Sequence, residues 1–253
     1  MKIAIAIPAR FASVRFPKKV LADLCGKPML QHVYEVATKA NAAAEIYILV
    51  DSEEVATVAR SFCGQVLMTS PECCCGTDRI ASALDKIDGD FIVNLQGDEP
   101  LLDPKILTDL CRHAKVSSAD ILTPIFKIID ASDINDPARV KVVVRRDGRA
   151  LYFSRSPIPF LRGVEQQNWI KHHQFFGHIG VYGYRRSVLE NYKNLSPSAL
   201  ELAESLEQLK LLDNGYAIDT IMAASPSIGI DTPEDLERAK LHLKSAKSRL
   251  NPS

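Results

Sequence analysis

Residues 3–10 read Ile-Ala-Ile-Ala-Ile-Pro-Ala-Arg, and this stretch indicates the fold class. Its first five residues are apolar without alternation, which is typical of a strand covered on both faces of a parallel sheet. Three further runs have the same character, at residues 46–50, 66–68 and 91–95. The sequence therefore predicts buried parallel strands at these positions.

Stretches with helical periodicity lie between these runs. Residues 28–43 open with Pro28, which suits the first turn of a helix, and they place apolar side chains on one stripe. Residues 53–62, 76–87 and 104–114 behave similarly. Strands that alternate with helices predict an α/β fold, with a mostly parallel central sheet flanked by helices.

The pattern changes after about residue 120, where we predict a smaller antiparallel hairpin region. Two apolar runs, at residues 140–144 and 150–154, flank Asp147-Gly148, and Asp-Gly between two strands is a hairpin signal. We place this region at about residues 130–190 of a single domain that spans residues 1–253.

The rest of the chain continues the mixed pattern. Residues 178–184 alternate like a half-exposed strand, so His178, Gly180 and Tyr182 are predicted to share one face. The other predicted elements are a helix over 198–213, a strand at 218–222 and a closing helix over 233–248.

The composition excludes several classes of protein. Of the 253 residues, 46% are apolar and 25% are charged, which is ordinary for a globular enzyme and excludes a disordered chain or a coiled coil. Lys plus Arg equals Asp plus Glu at 31 each, which argues against a nucleic-acid partner. No apolar run approaches the ~18 residues of a membrane span, so we expect no membrane partner.

We expect a cytoplasmic protein whose six cysteines are reduced thiols. Pro8 and Arg10 interrupt the first apolar run too early for a signal peptide. Cys73, Cys74 and Cys75 are consecutive, whereas zinc sites need spaced pairs, and no second pair accompanies them. We therefore predict that this run lies in a loop and binds no metal.

The loop after the first strand is rich in cations. Arg10, Arg15, Lys18 and Lys19 fall within ten residues, at the edge of the sheet where ligands bind in open α/β folds. Cations at that edge can neutralise phosphate charges, although a solvated surface loop is the alternative. The chain lacks the glycine patterns of P-loop and dinucleotide-binding proteins, so we predict a phosphate site of another kind.

A second polar loop, Gln96-Gly97-Asp98-Glu99, follows the strand at residues 91–95. Two carboxylates at the carboxyl end of a strand suit Mg²⁺. The alternative is that these acids cap the next helix, but Asp103 is better placed to do so because it stands just before Pro104. The pattern favours a metal-binding role for Asp98.

Eight motifs are spread along the chain. They are I-P-A-R-x-x-S-x-R-x-P-x-K at residues 7–19, and the stretches at 26–29, 76–79, 94–100, 151–155, 178–184, 206–209 and 231–235. Together they resemble the sugar-activating cytidylyltransferases, and more narrowly the family of 3-deoxy-manno-octulosonate (Kdo) cytidylyltransferases. One departure stands out, because Cys75 replaces the Ser that the family often carries before Gly-Thr-Asp/Glu-Arg.

The resemblance implies a nucleotidyltransferase fold of GT-A-like type and a defined reaction. The 2-hydroxyl of Kdo attacks the α-phosphorus of CTP, so that CMP-Kdo forms for lipopolysaccharide biosynthesis and pyrophosphate leaves. The implied substrates are CTP and Kdo, the implied cofactor is Mg²⁺, and the implied assembly is a homodimer built through the hairpin region.

The resemblance also implies roles for individual residues. Nucleotide binding falls to Ala9, Arg10, Ser13, Arg15, Lys19, Gly76 and Arg79, and catalysis to Arg10, Lys19 and Asp98. Sugar binding falls to Gln96, Arg155, Arg162, His178, Tyr182, Glu207 and Gln208, and metal binding to Asp98 and Asp231.

The residues themselves leave alternatives open. Arg79 could form a surface salt bridge, and a lone strand histidine such as His178 is more often structural. Asp231 could cap the following helix, unless Thr232 supplies that cap. Glu207 and Gln208 are adjacent on a predicted helix, so at most one of them is expected to be central.

Three rival functions remain open from the sequence alone. Sialic acid cytidylyltransferases also begin with an I-P-A-R-like loop but continue with Gly-Ser-Lys, whereas this chain has Phe-Ala-Ser-Val-Arg. Glycosyltransferases commonly carry D-x-D, whereas Asp98 is followed by Glu99 and Pro100. A non-catalytic scaffold does not need the two separated acids Asp98 and Asp231 beside Lys19.

Overall fold

The structure is a computed structural model that describes residues 1–12 and 15–250, with backbone alone for residues 246–250. The strands are β1 Ile3–Ala9, β2 Asp23–Leu24, β3 Lys27–Pro28, β4 Glu45–Val50, β5 Val66–Met68, β6 Phe91–Asn94, β7 Ile121–Lys127, β8 Lys141–Val144, β9 Ala150–Ser154, β10 Phe176–His178, β11 Tyr182–Arg185 and β12 Ile218–Met222. The helices are α1 Met29–Ala40, α2 Glu53–Arg60, α3 Gly76–Ser82, α4 Pro104–Ala114, α5 Ala131–Asn135, α6 Trp169–His172, α7 Arg186–Asn191, α8 Ala199–Glu204, α9 Gln208–Asp213 and α10 Pro233–Leu250. Within the described residues, no helix combines the length and the apolar character that crossing a membrane requires.

The chain forms two compact units. The first comprises Met1–Thr108 and the chain from Ser227 onward, and the second comprises Asp109–Pro226. The predicted hairpin region at about 130–190 lies within the second unit. The assignment of residues 1–253 to a single domain stays a prediction.

The first unit contains the parallel strands that the sequence predicts. Their order is β5-β4-β1-β6, and every pair is parallel. All seven residues of β1 are buried, because strands lie on both sides of it and helices cover its faces. Since parallel strands end at the same edge of a sheet, the loops after β1 and β6 come together there. Helices α1 to α4 alternate with the strands, as predicted.

The second unit is mainly antiparallel. Strand β7 pairs antiparallel with β10 and β11 and parallel with β12, while β8 and β9 form the predicted hairpin around Asp147-Gly148. Gly148 has a φ of 88°, a left-handed conformation that favours glycine. The predicted fold class, an α/β protein with a mostly parallel sheet and a smaller antiparallel hairpin region, is confirmed.

The prediction of one strand over residues 178–184 is wrong. The chain forms β10 up to His178 and β11 from Tyr182, both along the same edge of β7. Between them Val181 N donates to Ile179 O at 2.7 Å in a tight turn. The gap lies beside Pro124 of β7, which has no N–H to donate to a ladder.

The prediction of a continuous helix over residues 198–213 is also wrong. It divides into α8 and α9, and Ser205 between them has a left-handed φ of 51°. Leu206 N then donates to Glu201 O at 3.3 Å, which closes the end of α8 before the chain turns into α9. Glu207 therefore stands immediately before α9 rather than inside a longer helix.

Candidate active site

The Lys19 side chain is the centre of the polar edge of the first unit. The side chain is 11% exposed, and its Nζ donates to Asp98 Oδ2 at 2.6 Å and to Asp231 Oδ1 at 2.9 Å. Arg15 Nη2 lies 3.1 Å from Asp231 Oδ2. One ammonium therefore joins two acids from distant parts of the sequence, and the structure brings together four of the predicted site residues.

The charges in this cluster stabilise one another. Burial lowers the pKa of the Lys19 ammonium, but the Asp98 and Asp231 carboxylates outweigh it and raise that pKa above its ordinary value. Burial raises the pKa of the Asp231 carboxyl, but Lys19 and then Arg15 outweigh it and hold that pKa below its ordinary value. Lys19 and Asp231 are therefore both ionised at neutral pH.

Thr232, rather than Asp231, caps the closing helix α10. Asp235 N donates to Thr232 Oγ1 at 3.2 Å, and Asp235 Oδ2 accepts from the backbone N–H of Thr232 and of Asp231 at 3.0 Å each. This reciprocal pattern satisfies the helix start without the Asp231 carboxylate. The expectation that Thr232 supplies the cap is confirmed, and the Asp231 side chain points to Lys19 instead.

Asp103 performs the corresponding task for α4. Its Oδ1 accepts from Lys105 N at 2.9 Å, as expected for a side chain that caps the start of a helix. The Asp98 carboxylate, which was the alternative candidate for capping, is instead paired with Lys19.

The pair Asp98 and Asp231 fits a divalent cation such as Mg²⁺. One oxygen of each carboxylate contacts Lys19 Nζ, so the two acids lie close together. In the described part of the chain, no three Asp, Glu, His or Cys side chains form a larger metal-binding group. Two carboxylates are a sufficient protein contribution in nucleotide sites, because Mg²⁺ there also takes phosphate oxygens and water.

Two glycines permit close approach beside this cluster. A Cβ on Gly76 would lie 2.9 Å from Gln96 Nε2, and a Cβ on Gly97 would lie 2.8 Å from Pro8 O. Gln96 Nε2 also donates to Asn94 Oδ1 at 3.0 Å. These contacts pack the start of α3 and the loop after β6 directly against the end of β1.

Arg79 is buried rather than at the surface. Its Nη2 lies 2.9 Å from Asp51 Oδ2, and its Nη1 donates to Thr69 Oγ1 at 2.5 Å and to Ser70 O at 3.3 Å. Asp51 Oδ1 in turn accepts from Phe11 N at 2.8 Å, so the pair anchors the loop after β1. The role of Arg79 in binding nucleotide stays a prediction.

Sequence reasoning missed Asp51. Its position could have indicated a site residue, because it is a polar residue directly after the buried strand β4. It follows β4 in the chain, and Asp98 lies in the loop that follows β6, so both acids stand at the same edge of the parallel sheet.

The remaining predicted nucleotide residues occupy different environments. Ala9 is buried at the end of β1, and Arg10 is exposed in the loop that follows. Ser13 lies outside the described residues. Cys75 caps α3, because its Sγ accepts from Asp78 N at 3.4 Å, so the sulfur takes a position where a hydroxyl would also serve as a cap.

The second unit holds His178 and Tyr182 together although they lie on different strands. Their ring centroids are 5.2 Å apart. The hydroxyl of Thr123, which is fully buried, contacts His178 Nε2 at 2.8 Å and Val181 O at 2.8 Å. Burial lowers the pKa of His178 to about 3, so this imidazole is neutral at physiological pH.

Arg155, one of the predicted sugar-binding residues, is hydrogen-bonded to the backbone of its own chain. Its guanidinium donates to three backbone carbonyls, Glu204 O at 2.7 Å, Pro137 O at 3.0 Å and Ser205 O at 3.3 Å. The Glu204 carboxylate accepts from Arg155 N at 2.9 Å and from Ser154 Oγ at 2.6 Å. Arg155 therefore fixes the break between α8 and α9, and its contact with sugar stays a prediction.

The segment after this break carries a buried amide. Gln208 is 2% exposed, and among the described residues its Nε2 has no hydrogen-bond acceptor. A buried unpaired donor is costly and calls for an explanation such as a ligand. Glu207 beside it is half-buried, and Arg162 is exposed in a turn of the same unit.

Glu99 is one of the two carboxylates that the sequence analysis considered for Mg²⁺, but it received no individual role there. Burial, and then the Asp98 carboxylate, raise the pKa of Glu99 to about 7. Its carboxylate accepts a hydrogen bond from the hydroxyl of Ser227. Nothing in the local sequence pairs these two residues, because they lie far apart in the chain.

Comparison with known proteins identifies the family. A sequence model of the family described as cytidylyltransferase matches residues 4–221. A 3-deoxy-manno-octulosonate cytidylyltransferase of Chlorobium limicola is 44% identical over 253 residues, covering 98% of this chain and 100% of that protein. The chain belongs to the 3-deoxy-manno-octulosonate cytidylyltransferase family.

Further members of this family agree with the assignment. The Escherichia coli protein of the same name is 41% identical over 239 residues, which cover 94% of this chain and 95% of that protein. A solved structure of CMP:2-keto-3-deoxy-manno-octonic acid synthetase complexed with CTP has a TM-score of 0.90 and 39% identity. It covers 97% of this chain and 100% of that chain, so the family resemblance drawn from the motifs is confirmed.

Proposed function

We propose that this enzyme transfers CMP from CTP to the 2-hydroxyl of Kdo, forming CMP-Kdo for lipopolysaccharide biosynthesis and releasing pyrophosphate. The observation that carries the proposal is the cluster of Lys19, Asp98 and Asp231 at the strand edge of a chain of this family. The CTP complex of the similar synthetase supports CTP as the nucleotide.

The cations of the loop after β1 act on the triphosphate. Lys19 is fixed by its two acids and supplies a point charge, while exposed Arg10 and Arg15 offer forked contacts to phosphate oxygens. Negative charge grows on the leaving pyrophosphate, so prepositioned cations stabilise the transition state more than the bound substrate. Ala9, Ser13, Gly76 and Arg79 complete the proposed nucleotide site, Arg79 by anchoring the loop through Asp51.

Asp98 and Asp231 are the proposed Mg²⁺ ligands. When bound, the ion polarises the α-phosphate and lowers the pKa of the sugar hydroxyl, so that no separate general base is required. The two acids come from loops of the same unit, and Lys19 holds their carboxylates close together.

The proposed sugar contacts are mostly neutral. Gln96 belongs to the first unit, and His178, Tyr182, Glu207 and Gln208 belong to the second. A neutral His178 and the unpaired donor of Gln208 suit the hydroxyls of Kdo, because both form hydrogen bonds without carrying a net charge. Exposed Arg162 is the proposed cation for the Kdo carboxylate, with Arg155 holding the segment that carries Glu207.

We also propose a cytoplasmic homodimer. The second unit exposes large apolar side chains, among them Leu151 on β9, which is the last strand of its sheet order, and Phe160 and Leu202. Exposed apolar groups and strand edges are typical of contact surfaces. Sedimentation of the purified protein at micromolar concentration tests this, and a monomer would contradict it.

Pyrophosphate release tests the reaction directly. The purified protein should release pyrophosphate when CTP, Kdo and Mg²⁺ are all present, and omission of any one should reduce the rate to background. Replacing Kdo by a sialic acid separates the nearest rival, and replacing CTP by ATP tests the choice of base. Comparable turnover with ATP, or release without any sugar acid, would contradict the proposal.

A further inference from the structure

We propose that Glu99 and Ser227 form a clasp that sets the position of Asp231 relative to Asp98. The clasp is the segment 227–231 laid against the backbone and side chain of Asp98-Glu99. It makes Glu99 a positioning residue for the two carboxylates that are proposed to bind the cation, and it rests on the metal role proposed for Asp98 and Asp231.

Three contacts of the first unit define the clasp. The Ser227 hydroxyl donates to Glu99 Oε2, and Ile230 N donates to Asp98 O at 2.9 Å. Between them the chain passes so close to Glu99 that a Cβ on Gly229 would lie 3.3 Å from Glu99 Oε1. The segment is therefore held against the Asp98 loop at each end and closely packed in the middle.

Ile230, the residue before Asp231 in the clasp, is held both by the core and by the Asp98 loop. Ile230 is fully buried in a cluster with Leu24, Met29 and Leu236. Its side chain anchors to that core, and its N–H is bound to the Asp98 carbonyl. Since Asp231 is the next residue, its backbone is fixed relative to Asp98, and its carboxylate reaches Lys19 Nζ at 2.9 Å.

To position Asp231, Glu99 needs a hydrogen-bond acceptor but no negative charge. The contact with Ser227 uses one oxygen as an acceptor, and an amide oxygen accepts the same hydrogen bond. A direct metal ligand, in contrast, depends on the carboxylate, because Mg²⁺ and Mn²⁺ favour charged oxygen donors. Glu99→Gln therefore separates a positioning residue from a ligand.

The experiment measures Mn²⁺ binding by the enzyme with CTP, using the electron paramagnetic resonance signal of free Mn²⁺. Glu99→Ala and Ser227→Ala should each weaken Mn²⁺ binding by about 10- to 100-fold, the usual loss when a group that orients a metal ligand is removed. Glu99→Gln should stay within about threefold of wild type, because its amide accepts from Ser227.

Tyr47→Phe is the matched control. It removes one hydrogen bond of the same unit, from Asp88 N to the Tyr47 hydroxyl at 3.2 Å, just before the start of β6 and away from the Asp98 loop. This variant should lose thermal stability while its Mn²⁺ affinity stays unchanged. If Glu99→Ala does not fold, Ser227→Ala is measured instead. It removes only one hydroxyl and is therefore expected to fold.

The results distinguish a failure of the clasp from a failure of the proposed metal role. Wild-type Mn²⁺ affinity in Ser227→Ala and Glu99→Ala would overturn the clasp, and so would a loss in Glu99→Gln as large as that in Glu99→Ala. Asp98→Asn and Asp231→Asn are measured alongside. If these two also bind Mn²⁺ normally, the proposed metal role fails; if only they lose it, the clasp alone fails.

Discussion

The two units hold their candidate site residues by different physical means. In the first, Lys19, Asp98 and Asp231 are charged, and each is held in place by opposite charge. In the second, His178 is neutral, and Gln208 is buried with an unpaired donor. The first arrangement suits a triphosphate and its cation, whereas the second suits the hydroxyls of a sugar.

The two sets of residues should therefore respond differently to substitution. Charged groups that face a developing charge contribute to the rate of the chemical step. Neutral donors and acceptors contribute mainly to recognition, because a lost hydrogen bond leaves one buried group unpaired. Substitutions in the first unit should therefore affect turnover more than substitutions in the second.

The largest effect is expected from the two acids. Asp98→Asn and Asp231→Asn should each lower kcat by about 10³-fold, since a metal ion supplies several kcal/mol of stabilisation in the transition state. Unfolding free energies should change by no more than about 1–2 kcal/mol. Asp103→Asn is the control, because it caps α4 and an asparagine caps equally well. Turnover by initial pyrophosphate release and unfolding in urea are the measurements, and an intact rate in Asp231→Asn would remove it from the site.

Lys19→Met should lower kcat/KM for CTP by about 10²- to 10³-fold, the usual loss for one donor to a transition state. An exposed loop cation contributes little to stability, but Lys19 is buried, and its loss leaves two carboxylates close together. We therefore expect a destabilisation of about 1–2 kcal/mol, less than the ~3–5 of a fully buried pair. The matched control is Lys18→Met, whose side chain is exposed and paired with Glu54. Equal kinetics for the two variants would contradict this role of Lys19.

Sequence patterns predicted the first region better than the second. Buried strands are recognisable as apolar runs, and charges in the loops that follow them, as at Lys19 and Asp98, indicate a ligand site. The gap after His178 and the break at Ser205 depend on Pro124, Thr123 and Arg155, which lie far away in the sequence. The periodicity of a sequence indicates which residues are buried locally, but it does not identify contacts with residues far away in the chain. Residues 178–184 and 198–213 were therefore each predicted as one continuous element.

A smaller effect, on stability and its pH dependence, is expected at His178. Burial lowers its pKa from 6.5 to about 3, so the unfolded chain binds a proton that the folded chain does not. Stability from this residue is fully present above pH 6.5 and is lost as the pH falls toward 3. Between pH 7 and 4.5, the unfolding free energy of His178→Gln, measured in urea, should fall less steeply than that of wild type. The difference in slope should be at most about 1.4 kcal/mol per pH unit.

The matched control for this measurement is His172→Gln, which changes an exposed histidine of the same unit. Its unfolding free energy should follow the wild-type dependence on pH. Parallel pH curves for wild type and His178→Gln would show that His178 does not remain neutral in the folded protein.

The smallest effect is expected from replacing Cys73, Cys74 and Cys75 by serine together. The proposed reaction needs no thiolate, and a serine hydroxyl can replace the Cys75 sulfur as the cap of α3. Turnover should stay within about twofold of wild type, because a change of cap alters local stability by only about 1 kcal/mol. Metal analysis of the purified protein accompanies the assay, and stoichiometric zinc that the variant loses would contradict the prediction.

Asp98 and Asp231 are proposed to act as one unit on one cation, and substitution of both residues together tests this proposal. Groups that act as a unit are strongly non-additive, so loss of either member already removes the whole contribution. Asp98→Asn/Asp231→Asn should therefore turn over within about threefold of the slower single variant in the pyrophosphate assay. A double variant that is slower by the product of the two single losses would show that the acids contribute independently and do not share one cation.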